Sequence, residues 1–362
     1  MRKLLIISPY PLNQAPSQRF RFEQYFNFFK QNNIIVSHQS FLDINTWHIF
    51  YKKGYFFLKL LGILKGLYKR FVLLFNINKY DIIFIHREAC FLGGAFFELL
   101  YSKKNSNIIF DFDDAIWLHD VSKANDSLGW LKQPEKTSKI ISYSKLVIAG
   151  NSYLADYAKK YNSNVVIIPT TIDTNYHYRK NQKILKNEVI IGWTGSSTTN
   201  RHLKTLIPVI NKLKNKYSEK IKFVMISNIP LEESSELIEF LPWNKQTEIN
   251  DLLTFDIGIM PLPDDEWTRG KCGFKGLQYM ALEIPTIMSP VGVNTEIIQD
   301  GQNGFLAATE EEWIEKLSLL IESTELREKL GKAGRKTVVE KYSVEANKQK
   351  YLEAFKRVLN IK

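Results

Sequence analysis

Short runs of apolar, β-branched residues alternate along the chain with segments whose apolar residues recur at helical spacing. The runs are apolar on both faces, which is typical of parallel strands covered by helices on both sides. They fall into two sets, and each set predicts one doubly wound α/β domain. The first set is Lys3–Ser8, Ile34–Ser40, Asp81–His86, Asn107–Phe112, Lys145–Gly150 and Asn164–Pro169, and the second is Val189–Gly195, Lys222–Ser227, Asp256–Pro261, Pro285–Ser289 and Gly304–Ala307.

The two sets are separated by the polar, irregular stretch Thr170–Glu188. This stretch predicts a domain boundary, with one domain over residues 1–175 and a second over residues 185–342. Beyond the second domain, Ser343 is a predicted N-cap, and the segment Val344–Leu359 keeps an apolar stripe typical of a helix. Residues 343–362 are therefore predicted to form a separate C-terminal helix.

Composition supports this organisation. The chain has 362 residues, of which 44% are hydrophobic, so each half can bury a core of its own. The two cysteines, Cys90 and Cys272, form neither a disulfide framework nor a zinc spacing, which favours a reducing cytoplasm. No uncharged apolar run reaches the ~18 residues expected of a membrane-spanning helix.

The net charge of +11 is unevenly distributed. No Asp or Glu occurs from Ile44 to Tyr80, where seven Lys or Arg residues alternate with aromatic and aliphatic ones. Such a helical stretch, centred on residues 47–75, suits an anionic bilayer surface. It equally suits a surface helix with one face in the core and its lysines in water. Both interpretations remain open from the sequence.

Two loops of the second domain are predicted to bind phosphate. In open parallel sheets the ligand lies beyond the carboxyl ends of the strands. The run VIIGWTGSSTTNRHLKTL is a strand, a small-residue turn with Gly195 and Ser196, and a helix that carries Arg201. Backbone N–H groups at such a turn suit a diphosphate, although an ordinary capped helix would have the same pattern. The run is neither a dinucleotide-binding nor a Walker motif.

The second loop, TRGKCGFKG, places Lys271 and Lys275 among glycines before a predicted helix over residues 274–282. Glycines, cations and a helix N-terminus together favour an anion. Gln278 on that helix could bind a ribose hydroxyl, or could simply be exposed to solvent. Trp243, which we expect after a helix, could stack on a nucleobase or pack in the core.

The first domain has a carboxylate cluster at a strand end, in IIFDFDDAIW. Asp111 and Asp113 could act as a base, bind substrate hydroxyls or hold Mg²⁺, or could be solvated loop acids. His86 ends the preceding strand, and Arg19 lies on the predicted helix after the first strand. We assign Arg19, His86 and Asp111 to the same substrate side as Asp113.

The segment GFKGLQYMALEIPTIMSPVGVNTEIIQDGQNGFL, with GRKTVVEKYSVEA near the C-terminus, resembles the family 4 glycosyltransferases of the GT-B fold. The resemblance covers the second half in detail and the first half in layout. It implies two Rossmann-like domains facing across a cleft, with the C-terminal helix crossing back to the first domain. It also implies transfer of a sugar, with retention, from a nucleotide-sugar donor on the second domain to an acceptor on the first.

By position, Gly195 matches the family's glycine turn, Ser196 replaces the Arg that usually follows, and Arg201 replaces a Lys. The family's paired glutamates correspond to Gly270 and Gln278, so both carboxylates are missing. Glu266 and Asp265 are candidate replacements. The resemblance further implies that Lys271 and Lys275 take over the diphosphate, as in a variant branch, and that Asp113 lies near the family's catalytic His.

The function expected from these residues is glycosyl transfer for cell-surface polysaccharide or lipid-linked glycan synthesis. Arg201, Lys271 and Lys275 would stabilise the leaving diphosphate, and Asp113 or a phosphate oxygen would take the acceptor proton. The partners would be a nucleotide sugar, a glycan or lipid-linked acceptor and an anionic membrane surface, with no nucleic acid, cofactor or metal. A cytoplasmic location is expected, with the inner face of the membrane as a second site. The alternatives are a GT-B-like nucleotide-sugar epimerase and a basic, non-enzymatic protein that binds nucleic acid or membranes.

Overall fold

The computed structural model describes residues 1–118, 133–179, 188–231 and 236–361. The chain divides into two compact units, one formed by Met1–Thr170 with Asn347–Lys362 and the other by Thr171–Ala346. Each unit contains a six-stranded sheet in which every pair of neighbouring strands is parallel. The prediction of two doubly wound α/β domains is therefore confirmed.

The first unit has all six predicted strands, in the spatial order β2-β1-β3-β4-β5-β6. Its central strands are buried on both faces, as their continuous apolar runs require. Its strands are β1 (Arg2–Ser8), β2 (Ile34–Ser40), β3 (Ile82–His86), β4 (Ile108–Phe112), β5 (Leu146–Ala149) and β6 (Val165–Ile167), and its helices are α1 (Pro16–Arg19), α2 (Phe26–Gln31), α3 (Ile44–Phe50), α4 (Phe56–Leu74), α5 (Phe96–Lys104), α6 (Lys136–Tyr143) and α7 (Ser152–Lys159).

The second unit has the order β12-β11-β10-β7-β8-β9. Its strands are β7 (Val189–Thr194), β8 (Ile221–Ser227), β9 (Glu239–Pro242), β10 (Ile257–Met260), β11 (Thr286–Met288) and β12 (Phe305–Leu306), and its helices are α8 (Asn200–Lys204), α9 (Ile207–Tyr217), α10 (Glu248–Leu252), α11 (Glu266–Arg269), α12 (Phe274–Ala281), α13 (Asn294–Ile297), α14 (Glu310–Glu322) and α15 (Thr324–Thr337). The sequence did not predict β9, a short edge strand of partly exposed residues whose apolar pattern is weak.

The C-terminal helix α16 (Val344–Leu359) has the predicted bounds, and Ala346 donates its backbone N–H to the Ser343 hydroxyl at 3.0 Å. Most of this helix belongs to the first unit. The Tyr351 ring centre lies 4.6 Å from that of Tyr25, and the Tyr351 hydroxyl donates to the Arg21 carbonyl at 3.1 Å. Buried aromatic packing thus holds the chain's end against its beginning, as predicted.

None of the described helices combines the length and the apolar composition needed to cross a membrane.

Candidate functional site

Both sheets reverse their strand order beside their own first strand. In the second unit the chain runs from β7 outward through β8 to β9, and then returns to β10 on the other side of β7. Ligands of open α/β sheets bind at the carboxyl ends of the strands next to such a reversal. The loops after β7 and β10, in which the sequence predicted phosphate binding, therefore flank the point where the topology favours a ligand.

The loop after β7 turns closely around a buried tryptophan. The backbone N–H of Gly195 donates to the Ile226 carbonyl at 2.9 Å, and a Cβ atom on Gly195 would lie 2.1 Å from the Trp193 ring. Only glycine fits this position. Ser196 is exposed, and its backbone N–H donates to the Thr199 hydroxyl at 2.9 Å. The turn therefore depends on glycine and on short polar side chains.

The loop after β10 carries three cations, Arg269, Lys271 and Lys275, and Arg269 is paired with an acidic side chain. Arg269 donates two hydrogen bonds to Asp264, at 2.7 and 3.1 Å. Asp265 is the N-cap of α11, where its carboxylate accepts from the Thr268 backbone N–H at 2.7 Å. Gly273 has a φ of 66° and begins α12, so Lys275 lies in the first turn of that helix. The loop thus presents Lys275 at a helix N-terminus, where anions bind.

The cations of both loops converge on one buried imidazole, that of His202 on α8. Burial and then the nearby charges of Lys275, Arg201 and Lys271 together lower the pKa of His202 to about 4. Burial and the charge of Lys271 also lower the pKa of Lys275 to about 7. The Lys275 ammonium lies 4.3 Å from the centre of the Trp193 ring. The structure therefore brings Arg201, Lys271 and Lys275 together.

The site combines cationic side chains with buried polar atoms that lack a hydrogen-bond partner. In the described part of the chain, neither Lys275 nor Arg201 forms an ion pair with an acidic side chain. The buried atoms Nε2 of His202 and Nε1 of Trp193 have no hydrogen-bond partner. Unpaired buried polar groups and uncompensated charge are costly, and such features cluster at binding sites. The arrangement can therefore stabilise an anionic ligand.

The remaining predicted donor-binding residues are Gln278 and Trp243. Gln278 is buried on α12, and its amide nitrogen lies 3.3 Å from Nε2 of His177. Trp243 is 41% exposed and follows the strand β9, so the expectation that it follows a helix was wrong. Its backbone N–H donates to the Ser227 carbonyl at 2.9 Å, which fixes its position at the end of β8.

In the first unit the order reverses between β1 and β3, whose carboxyl ends are Ser8 and His86. Arg87, which follows β3, has a φ of 63° and donates to Asp113 and Asp114, both at 2.7 Å. Bulky residues seldom adopt a positive φ, and backbone strain of this kind concentrates at functional sites. Arg87 therefore marks this edge as a candidate site and fixes the orientation of Asp113.

Asp111 and His86 lie one layer deeper. Both side chains are fully buried, and the Asp111 carboxylate binds Nδ1 of His86 at 2.7 Å and the Arg21 guanidinium. Burial favours the neutral acid, but the Arg21 charge and the His86 hydrogen bond hold the pKa of Asp111 below its usual range. In this geometry the buried Asp111 and His86 can hold the carboxyl ends of β4 and β3 in position. Arg19, on α1, lies with its guanidinium 5.1 Å from the Phe20 ring centre.

The carboxylates of Asp113 and Asp114 are bound by Arg87, and the described residues contain no group of three or more His, Cys, Asp or Glu side chains arranged for a metal. Sequence reasoning did not single out Arg87 or His202. The adjacency of His202 to Arg201 was the signal available for the histidine. No pattern signals the backbone conformation of Arg87, because it depends on ion pairs to the neighbouring strand.

Residues 175–337, which lie within the second unit, match the family model described as "Glycosyl transferases group 1". A curated relative is the capsular polysaccharide biosynthesis glycosyltransferase CapM of Staphylococcus aureus, which is 24% identical over 182 residues. The match covers 48% of this chain and 47% of CapM, so the chain spans about half the length of that relative.

Solved structures resemble the chain over nearly its whole length. Sucrose-phosphate synthase from Thermosynechococcus elongatus has a TM-score of 0.72 at 12% identity, covering 99% of this chain and 100% of that one. HepE from Anabaena, in complex with UDP and glucose, has a TM-score of 0.63 at 12% identity, covering 98% and 99%. At these identities the likeness shows the fold, and the predicted two-domain GT-B class is confirmed.

Proposed function

We propose that this chain, whose residues 175–337 form a group 1 glycosyl transferase domain, transfers a sugar from a nucleotide sugar to a hydroxyl acceptor. The observation that carries the proposal is the convergence of Lys275, Arg201 and Lys271 on the buried His202, beside the reversal of strand order. Cations at the carboxyl ends of β7 and β10 are suited to the diphosphate of such a donor.

Lys275 and Arg201 would accelerate the reaction by electrostatic stabilisation. As the bond from the sugar to the diphosphate breaks, negative charge grows on the leaving phosphate oxygens, and cations held beforehand stabilise that charge most. We propose that these side chains do so without a resident metal or cofactor. The UDP in the HepE complex supports a uridine nucleotide as the first donor to test.

On the first unit we propose Asp113 as the group that takes the acceptor proton. Arg87 would keep the Asp113 carboxylate oriented, because it donates to that carboxylate at 2.7 Å. Arg19 would contribute to the acceptor side, with Asp111 and His86 as support.

We also propose a retaining, family 4-like reaction in which the usual paired glutamates are replaced. Gln278 would bind the donor from the buried position it shares with His177. Asp265 is committed to capping α11, whereas Glu266 is exposed on the same helix. Of the two candidates for the missing glutamate, Glu266 is therefore the one whose carboxylate we expect to face the sugar.

The acceptor we propose is a growing cell-surface polysaccharide or a lipid-linked glycan, made at the cytoplasmic side of the membrane. The match to CapM, a capsular polysaccharide biosynthesis glycosyltransferase, supports this class.

Nucleotide binding tests the proposal directly. Thermal unfolding of the full chain would be measured with UDP, GDP, ADP and CMP and their sugars, because a ligand of the native state raises the melting temperature. We expect one nucleotide family to stabilise the protein by about 2.7 kcal/mol at 100 times its Kd. Stabilisation by none of them would refute a donor site. Consumption of the sugar nucleotide with a changed sugar and no acceptor would instead indicate an epimerase.

A further inference from the structure

The longest helix of the first unit, α4, has its polarity reversed relative to an ordinary surface helix. Its buried positions are Gly62, Gly66, Arg70 and Leu73. Its exposed face is a stripe of apolar side chains spaced by four and three residues, Phe57, Leu61, Leu64, Tyr68, Phe71 and Phe75. A helix at the surface of a globular protein normally turns such a stripe inward. Here the protein presents the apolar stripe outward.

The exposure of the stripe is large. Phe57 is 78% exposed, Tyr68 69% and Phe75 85%. Exposed apolar residues continue beside the stripe at Tyr55, on the N-terminal side of α4, and at Phe96, whose ring centre lies 6.3 Å from that of Phe71. A contiguous exposed apolar patch of this kind marks an interaction surface.

The packing of α4 explains why the stripe cannot turn inward. A Cβ atom on Gly62 would lie 2.3 Å from Thr46 side-chain atoms, and one on Gly66 would lie 2.9 Å from the Phe41 ring. The inner face therefore holds small residues because the helix backbone lies directly against the domain. Rotating α4 would drive aromatic side chains into that contact, so the outward stripe is fixed by the fold.

The charges around the stripe identify the partner as anionic. From Ile44 to Tyr80 the chain has no acidic residue and seven basic ones. Lys52 and Lys53 are exposed just before α4, and Lys65 lies beside the stripe, paired with Asp43 at 2.7 Å. Apolar side chains at the centre and lysines at the edge match the acyl boundary and the headgroups of an anionic bilayer.

We propose that the exposed face of α4, called the α4 stripe from here on, docks the protein on an anionic lipid surface. The helix would lie in the plane of the interface, with Phe57, Leu61 and Tyr68 among the acyl chains. Lys52 and Lys53 would contact the headgroups.

Arg70 links this surface to the acceptor-side edge. Its guanidinium donates to the Ala89 carbonyl just after β3 at 2.6 Å, and to the Ser8 carbonyl and the Gln39 side chain, at the carboxyl ends of β1 and β2, at 3.1 and 2.8 Å. Docking α4 would therefore hold that edge close to the bilayer. If the proposed transfer is correct, the acceptor is anchored in the membrane; the docking itself does not depend on that function.

Vesicle sedimentation of the full chain tests the docking, with phosphatidylcholine vesicles compared with vesicles containing 30% phosphatidylglycerol (roughly the charge density of an anionic leaflet) at ~0.1 M salt. We expect binding to the anionic vesicles at least about tenfold stronger, since each lysine near the surface contributes ~1 kcal/mol. The double variant Phe57→Ser/Leu61→Ser should lose about tenfold or more of this binding. Lys52→Glu/Lys53→Glu should lose the preference for anionic lipid.

The matched control is Leu319→Ser/Val339→Ser, which removes two exposed apolar side chains of the second unit. It should leave vesicle binding unchanged. Circular dichroism and nucleotide-induced stabilisation would show that every variant is folded. Equal binding to both vesicle types, or full binding by the Phe57/Leu61 variant, would overturn the docking proposal. So would a dimer that the Phe57/Leu61 variant converts to monomer while vesicle binding is absent throughout. None of these readouts requires sugar transfer, so failure of docking and failure of the proposed function are distinguishable.

Discussion

The Lys275 ammonium lies over the face of the Trp193 ring, 4.3 Å from its centre, and the same ring leaves no room for a side chain on Gly195. One tryptophan therefore joins the glycine turn after β7 to the cationic loop after β10. The cation–π contact favours the ammonium form of Lys275, whereas burial and the charge of Lys271 lower its pKa to about 7. An incoming anion would favour the ammonium form further.

Removing this charge should impair transfer. We expect Lys275→Ala to lower kcat/KM for the nucleotide sugar by about 100-fold or more, the scale of losing one preorganised charge contact. Steady-state transfer kinetics and nucleotide Kd values measure the effect. Lys220→Ala is the control, because Lys220 is exposed just before β8. It therefore lies at the amino ends of the strands, opposite the carboxyl ends where Lys275 lies. Turnover and donor affinity equal to those of the unmodified protein would remove Lys275 from the mechanism.

The lowered pKa of Lys275 should also make the stability of the protein depend on pH between about 7 and 10.5. Burial and Lys271 lower the pKa of Lys275 to about 7 from an ordinary 10.5, so the unfolded chain binds more protons between these values. Stability should therefore rise from pH 7 to pH 10.5. Lys275→Met should be more stable than the unmodified protein at pH 6, by roughly 1–3 kcal/mol, and should lose this advantage near pH 10. Urea unfolding at both pH values measures it, and an advantage that does not change with pH would contradict the lowered pKa.

His202 should make the stability of the protein depend on pH in the acidic range. Burial and then the charges of Lys275 and Arg201 lower its pKa to about 4, from an ordinary 6.5. Its contribution to stability is complete above pH 6.5 and is lost as the pH falls toward 4, because the folded state must then accept a charge beside three cations. As the pH falls from 6.5 to 4, the His202→Gln variant should therefore lose ~2–3 kcal/mol less stability than the unmodified protein. His38 has a similarly lowered pKa and contributes equally to both proteins, so the difference between their pH profiles isolates His202.

Replacing Asp113 should slow the transfer step and leave binding of the nucleotide unchanged. Asp113→Asn is expected to lower kcat by about 10²–10⁴-fold, the usual contribution of a general base. The nucleotide Kd should not change, since the cationic cluster belongs to the second unit. Asp114→Asn is the matched variant, because Asp114 accepts a hydrogen bond from the same arginine at the same 2.7 Å distance. Equal losses in both variants would assign Asp113 to positioning Arg87 instead.

The predictability of the site differed between its residues. Gly195, Lys271 and Lys275 were predicted because strand ends, glycines and cations are visible as local patterns. The meeting of those cations at His202 was not, because residues about 70 positions apart become neighbours only when β7 and β10 pair. Arg269 is paired with Asp264, whereas Lys275 lies over the Trp193 ring. The sequence pattern does not show this difference either.

By itself the sequence determined the two sheets, eleven of the twelve strands and the C-terminal helix with its Ser343 cap. These follow from hydrophobic periodicity and capping chemistry, which act over a few residues. The sequence did not decide whether the apolar residues of α4 face the core or a lipid surface. Only the tertiary structure decided which face is buried, because Gly62 and Gly66 allow a backbone contact that no hydrophobic pattern encodes. The same holds for the charge that remains uncompensated, which depends on long-range neighbours.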